Sequence, residues 1–161
     1  SWDPHATEPD LRSPVGDGSQ YDRPLPPPTM LVRHMTHGNG LPVPCTALVA
    51  RWALKEVGAF EMGFPKSYDD NALFSKLTLR FPVYVTGQFY DRYRQHPDSF
   101  CAREVAEGTW DRSSSAPSPD RVRFLQWIRD YARAYSPASY QDEVIAAIDG
   151  KLDSLDDDAG S

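Results

Sequence analysis

The chain has 161 residues, 40% hydrophobic and 25% charged, which is typical of a globular domain with a core of its own. Its net charge of −6 and its lack of a basic block argue against a nucleic-acid partner. No apolar run approaches the roughly 20 residues that a membrane span needs, so no span is expected. Residues 139–161 hold seven acidic residues and one lysine, which makes the body neutral and the end an acidic tail.

The two cysteines and the N-terminus bear on the cellular compartment. Cys45 and Cys101 form neither a disulfide framework nor a zinc pattern, and they are interpreted as reduced thiols of a cytoplasmic protein. Residues 1–5 are neither basic nor apolar and do not resemble a signal peptide. The sequence starts as if within a longer protein, which suggests a fragment.

The first half of the chain predicts an irregular arm followed by short elements. Residues 1–29 contain seven of the fifteen prolines and predict an extended, surface-lying arm. Residues 29–34 fit either a helix or a short strand, and residues 38–40 predict a turn. The apolar run at residues 45–50 predicts a buried strand, and residues 51–57 predict a short helix that ends at Gly58.

The second half predicts a central helix, two strands and two terminal helices. Ser67 or Asp69 is expected to cap a helix that runs to about Arg80, with its apolar face formed by Leu73, Phe74 and Leu77. Residues 83–86 and 89–94 predict strands. Two further helices are expected, one starting at Ser118 and Pro119 and the other at residues 139–155 with Val144, Ile148, Leu152 and Leu155 on one face; the end at residues 156–158 is expected to fray.

Asp69 and Asp70 at the start of the central helix are candidate catalytic carboxylates. Adjacent helical residues lie about 100° apart, so one carboxylate can enter a site while the other faces solvent. A single positioned carboxylate is enough to act as a general base on a hydroxyl group. The alternative is that both residues only cap the helix and complement its dipole.

Arg94 and His96 form the second candidate group, 24 and 26 residues after Asp70. Two positions apart on an extended strand, they lie on the same face. An arginine can bind phosphate with two hydrogen bonds, and a histidine can ligate a divalent metal or contact a leaving phosphate. The alternative is a surface arginine and a loop-end histidine before Pro97, because one histidine makes no metal site.

Five short motifs together resemble the acceptor-side half of a bacterial family 2 glycosyltransferase. They lie, in the same order as in that family, at residues 44–51, 57–60, 64–70, 82–85 and 93–99. The resemblance covers roughly residues 30–100 and implies a GT-A fold. The chain would then be an incomplete α/β, GT-A-like (partly Rossmann-like) domain with a short mixed sheet, flanking helices and a C-terminal helical extension. Its expected divisions are the arm at 1–29, the acceptor-side half at 30–117 and the helices with the acidic tail at 118–161.

The resemblance also implies residue roles. Asp70 matches the base that deprotonates the acceptor hydroxyl for inverting displacement, and Asp69 stands where the family usually has glutamate. Arg94 and His96 match positions near the diphosphate and its Mg²⁺ or Mn²⁺ ion, with His96 the metal ligand. Cys45 and Thr46 fall on the strand that borders the acceptor site. The implied partners are a nucleotide-sugar donor and a glycan, lipid or other hydroxyl acceptor, as in the synthesis of cell-surface polysaccharide.

The sequence departs from the family pattern in two places. Residues 57–62 replace the commoner Gly-Gly-Phe-Asp-Glu run, and no Asp-x-Asp motif follows an apolar strand; residues 156–158 match in letters only. The nucleotide-binding half is therefore missing, and the isolated chain is expected to be inactive. The alternative function is a non-catalytic interaction module, either a degenerate transferase or an unrelated α/β domain.

Overall fold

The structure, a computed structural model, describes residues 21–38, 40–64, 67–88, 90, 97–99, 102–103, 106–107 and 118–159, with only the backbone at 156–159. Its elements are β1 (Arg23–Leu25), α1 (Thr29–His37), a 3₁₀ turn (Pro44–Thr46), α2 (Arg51–Glu56), α3 (Asp69–Arg80), β2 (Val83–Val85), α4 (Pro119–Tyr135) and α5 (Ala138–Ala159). The described part is thus a mainly helical α/β structure. The strand predicted at residues 89–94 falls almost entirely outside it.

The sheet pairs a segment of the proline-rich arm with the predicted strand at residues 83–86. β1 and β2 are antiparallel, with Arg23 opposite Val85 and Leu25 opposite Val83. The described residues form only this two-stranded sheet, smaller than the short mixed sheet expected. Residues 23–25, predicted to be irregular, are ordered because their backbone pairs with β2; Pro24 is tolerated because both strands are edges.

Helix α3 lies at the centre of the described structure. Its eight residues from Ala72 to Leu79 are all buried, which is the pattern of a helix packed on every side. The predicted face of Leu73, Phe74 and Leu77 contacts α2 in a smaller cluster with Ala53 and Val57. Its other side joins the larger core, whose fully or almost fully buried members are Leu31, Met35, Phe64, Ala72, Leu79, Phe124, Leu125, Ile128, Ala132, Val144, Ile148 and Leu155.

The terminal helices follow their sequence signals. Ser118 caps α4 by accepting a hydrogen bond from the backbone N–H of Arg121 at 3.2 Å, and Pro119 is the first helical residue. Gln141 of α5 donates to the carbonyl of Arg133 at 2.9 Å and so joins the two helices at their turn. On α5, Val144, Ile148 and Leu155 are buried and Leu152 is half-buried. The helix continues to Ala159, beyond the point where fraying was expected.

Helix α1 resolves the choice between helix and strand at residues 29–34, and Gly38 ends it with φ 75°, as the predicted turn requires. Gly58, with φ 75°, likewise follows the end of α2.

The prediction of a buried strand at residues 45–50 is wrong. Pro44–Thr46 form a 3₁₀ turn, after which the backbone is extended, and Leu48 is 105% exposed. Ala47 and Val49 pack on the smaller cluster, so one side of this segment is covered. The segment is not part of a sheet because no described strand lies beside it to complete a ladder.

Gly40 packs directly on α1, so its replacement is expected to be costly. A Cβ atom at this position would overlap the carbonyl oxygen of Met30 and the backbone of His34, neither of which can rotate away. We expect Gly40→Ala to destabilise the fold by about 2 kcal/mol through overpacking. Gly150→Ala is the matched control, since a Cβ there meets nothing within 4 Å in α5. It should stabilise by about 0.5–1 kcal/mol in urea unfolding. Equal midpoints for the two variants would contradict this packing.

Burial of His34 on α1 is expected to make stability depend on pH. Desolvation, with a smaller repulsion from Lys151, lowers the pKa of His34 from 6.5 to about 4. Among the described residues its Nδ1 atom has no hydrogen-bond partner. Between these two pKa values the unfolded chain binds a proton that the folded chain does not. Stability is therefore lost as pH falls from about 6.5 to about 4, by up to about 3 kcal/mol.

Urea unfolding at several pH values measures this effect. His34→Leu should remove most of the slope between pH 6.5 and 4, whereas His37→Gln, at an exposed position, should keep it. Asp70 has the opposite effect on stability. Its pKa is raised in the folded state, so the folded chain takes up this proton at a higher pH than the unfolded chain, and stability rises as pH falls. If the free energy of unfolding of His34→Leu falls with pH as steeply as that of the wild type, the pH dependence comes from other groups.

Candidate functional site

The acidic step lies at the N-terminus of α3, but the helix is not capped as expected. The N-cap residue is Tyr68, which adopts the left-handed conformation with φ 67° and makes no side-chain cap hydrogen bond. Asp69 is already the first helical residue. Ser67 instead donates its hydroxyl to Oδ2 of Asp120 at the start of α4, at 3.3 Å. The expectation of a Ser67 or Asp69 cap is therefore wrong, because α4 competes for this part of the chain.

The two carboxylates differ in exposure, as adjacent helical positions predict. Asp69 faces solvent, whereas Asp70 is half-buried. Oδ1 of Asp70 accepts a hydrogen bond from the backbone N–H of Asn71 at 2.7 Å. Desolvation by burial raises the pKa of Asp70, and the nearby charge of Asp69 acts in the same direction, while hydrogen bonds from the backbone oppose the rise. Of the two, Asp70 has the properties of a base: partly shielded from water and with a raised proton affinity.

Helix α4 supports the residue just before the acidic step. The ring of Tyr68 stacks on that of Phe124 with 5.0 Å between centroids and 18° between planes. Its hydroxyl oxygen accepts a hydrogen bond from Nε of Arg121 at 3.1 Å. Sequence reasoning missed these contacts. The available signal was the aromatic stripe of α4, in which Phe124, Trp127, Tyr131 and Tyr135 lie at helical spacing and each ring contacts the next.

A buried lysine ties the loop before the acidic step to α3. Lys76 is fully buried, and its Nζ atom lies 2.6 Å from Oε1 of Glu61 and 2.6 Å from the carbonyl oxygen of Ala59. The Glu61 side chain is one-third exposed. Ala59 and Glu61 belong to the run 57–62 that departs from the family pattern. A lysine inside the apolar stretch of α3 was the sequence signal for this pair, since a buried charge requires a partner.

Of the other predicted site residues, two lie within the described part of the chain. Cys45 and Thr46 lie in the exposed 3₁₀ turn rather than on a strand, and the Thr46 hydroxyl donates to the carbonyl of Val43 at 2.9 Å. Ala47 and Val49, which follow the turn, pack on the smaller cluster, as do Leu73 and Phe74 of α3. Arg94 and His96 lie outside the described residues.

Among the described residues, the acidic step belongs neither to a grouped set of metal ligands nor to the groove between α1 and α5. Over the ranges described, no three His, Cys, Asp or Glu side chains are grouped so that they could hold a metal ion. A groove of about 470 Å³ lies between α1 and α5, lined by residues that include Arg33, His37, Tyr140 and Glu143. Asp69 and Asp70 are not among its lining residues.

Comparisons with known proteins identified no similar protein. No protein-family model, curated protein or solved structure matches the chain. Within the described residues, no helix is both long and apolar enough to cross a membrane, in agreement with the prediction of no span.

Proposed function

We propose that this chain is the acceptor-side part of an inverting glycosyltransferase in which Asp70 is the general base. The observation that carries the proposal is the contrast between the two carboxylates of the acidic step. Asp70 is half-buried at the start of α3 with a raised pKa, whereas its neighbour Asp69 is exposed. That is the asymmetry required of a residue that takes a proton from a hydroxyl, and it coincides with the position that the family resemblance assigns to the base.

In the proposed reaction, the carboxylate of Asp70 removes the proton of the acceptor hydroxyl as its oxygen attacks the anomeric carbon of the donor sugar. The bond from that carbon to the diphosphate breaks on the opposite face, and the leaving diphosphate takes the electron pair, so the configuration inverts. Partial desolvation of Asp70 makes the carboxylate a stronger base. Oδ1 accepts the hydrogen bond from Asn71, and Oδ2 is proposed to take the incoming proton. Asp69 is proposed to support this step from the solvent side.

The donor side of the reaction rests on the family resemblance. Arg94 and His96 are proposed to meet the diphosphate, and Mg²⁺ or Mn²⁺ would neutralise its charge in the complete enzyme. Because the sequence has no Asp-x-Asp motif after an apolar strand, the nucleotide-sugar site would come from polypeptide outside these 161 residues. The acceptor class, a glycan, lipid or other hydroxyl compound, and the cytoplasmic location are proposed on the same basis.

The exposed apolar residues that precede α3 are proposed to form the surface that contacts the donor-binding half. Five large apolar side chains between residues 43 and 62 are more than two-fifths exposed, which is unusual for one short segment: Val43, Leu48, Trp52, Phe60 and Met62. We propose that the donor-binding half covers this segment.

The same exposed residues favour the second candidate function, a non-catalytic interaction module. The two functions differ in one measurement: the release of nucleoside diphosphate when the complete protein is mixed with a panel of nucleotide sugars and hydroxyl acceptors. Release that requires an acceptor and is lost in Asp70→Asn supports the enzyme. Binding of a protein partner without any release supports the module.

A further inference from the structure

We propose that Tyr68 is a positioning residue, which helix α4 clamps in the left-handed conformation so that the first turn of α3 presents Asp70 to the acceptor. This inference rests on the proposed function and assigns part of the site to the C-terminal helices, where the family resemblance is weakest. Its evidence is the backbone conformation of Tyr68, its two side-chain contacts and its hydrogen bond into α3.

The backbone conformation of Tyr68 is unusual for its residue type. With φ 67° and ψ 6° it lies in the left-handed region, where the Cβ atom crowds the backbone. Glycine and asparagine adopt this region readily, but a tyrosine needs its surroundings to hold it there. Such strain persists where neighbouring contacts over-determine the conformation, and it clusters at functional sites.

The contacts that hold Tyr68 come from the first turns of α4. The ring is stacked on Phe124, which is almost fully buried, and the hydroxyl is held by Arg121 at 3.1 Å. The preceding residue is attached to the same helix by the 3.3 Å hydrogen bond from Ser67 to Asp120. Since α4 is itself fixed in the core by Phe124, Leu125 and Ile128, Tyr68 is held by a rigid element.

The conformation of Tyr68 is transmitted directly to the acidic step. The carbonyl oxygen of Tyr68 accepts the backbone N–H of Ala72 at 2.8 Å, which closes the first turn of α3 around Asp70. A rotation of the Tyr68 backbone would therefore turn this carbonyl away and change the direction of the Asp70 carboxylate. A displacement of about 1 Å at a reacting group is enough to cost about 100-fold in rate.

Two substitutions at Tyr68 separate positioning from simple packing. Tyr68→Gly tolerates positive φ but removes the ring and hydroxyl that form the clamp, whereas Tyr68→Phe keeps the ring stack and loses only the hydroxyl. Tyr135→Phe is the matched control, since it removes a tyrosine hydroxyl from an exposed ring at the end of α4. In the 161-residue chain, NMR would measure the pKa of Asp70 and the backbone coupling constant of residue 68. In the complete protein, acceptor-dependent release of nucleoside diphosphate would be measured.

In Tyr68→Gly we expect the pKa of Asp70 to fall toward its ordinary value, because a freed carboxylate becomes hydrated, and transfer to fall about 100-fold. Tyr68→Phe should retain most of the raised pKa and most of the activity, and Tyr135→Phe should change neither. An unchanged Asp70 pKa in folded Tyr68→Gly would overturn the clamp, as would a changed pKa with full transfer. Full transfer by Asp70→Asn would refute the proposed function instead, whatever Tyr68→Gly shows. If Tyr68→Gly does not fold, Tyr68→Phe decides. A coupling constant of residue 68 and an Asp70 pKa equal to those of the wild type support the ring stack, and a change in both overturns it.

Discussion

On the proposed function, replacing Asp70 by asparagine is expected to lower acceptor-dependent sugar transfer by the complete protein by about 10³-fold or more while the protein stays folded. General-base catalysis typically contributes about 10²–10⁴-fold to a rate, and an amide of the same shape cannot take up the proton. The substitution also removes a charge that is partly desolvated in the folded state. We therefore expect stability at neutral pH to be unchanged or slightly higher. Release of nucleoside diphosphate and urea unfolding measure the two effects.

Asp69→Asn is the matched control for this experiment. It makes the same chemical change one residue earlier, at a carboxylate that faces solvent. We expect it to reduce transfer by less than about tenfold, since Asp69 is proposed to support rather than to accept the proton. Full activity of Asp70→Asn would remove Asp70 as the base. Equal losses in both variants would indicate a general effect of charge at the N-terminus of α3 rather than a single base.

Replacing Glu61 by alanine is expected to have the largest effect on stability. It would leave the ammonium group of the fully buried Lys76 with the carbonyl oxygen of Ala59 as the remaining hydrogen-bond partner seen in the structure. Breaking a buried ion pair from one side typically costs about 3–5 kcal/mol, and the partial exposure of Glu61 reduces this to about 2–4 kcal/mol. Urea unfolding of the 161-residue chain at pH 7 would measure the loss.

A second substitution tests whether this loss of stability comes from the unpaired charge of Lys76. Lys76→Met removes the charge but keeps a similar volume, so by itself it should cost less than about 1.5 kcal/mol. Added to Glu61→Ala, it should restore stability, because no buried charge then lacks its partner. Glu56→Ala, which breaks the exposed pair of Glu56 with Arg80, is the control and should cost about 0–1 kcal/mol. A double variant less stable than Glu61→Ala would show that Lys76 is not held by this ion pair.

Local sequence signals were sufficient where an element is decided by its own residues. Ser118 and Pro119 start α4, Gly38 and Gly58 follow the ends of their helices, and Phe81 with Pro82 stops α3. These features depend on caps, on positive φ and on the missing N–H of proline, all of which act within a few residues. That Asp69 and Asp70 differ in exposure was likewise open to sequence reasoning, because adjacent helical residues lie about 100° apart, whereas which of the two is covered was not.

Signals that depend on neighbours distant in the sequence were not sufficient. Residues 45–50 have the composition of a buried strand, but a strand exists only where a second strand pairs with it, and no described strand does. Residues 23–25 have the composition of an irregular arm, yet they pair with β2. In the same way, Ser67 has the composition of a helix cap but donates its hydroxyl to Asp120, 53 residues later.

The sequence by itself therefore determined helices α2 to α5, most of their ends and the acidic step, because these follow from short-range hydrogen bonding and from the period of apolar residues. Only the tertiary structure decided what surrounds that step. It placed Phe124 and Arg121 against Tyr68, buried Lys76 against Glu61, and left Asp70 half-covered beside an exposed Asp69. These contacts join residues 15 to 56 positions apart, and which residues meet over such separations is set by how the helices pack in the core.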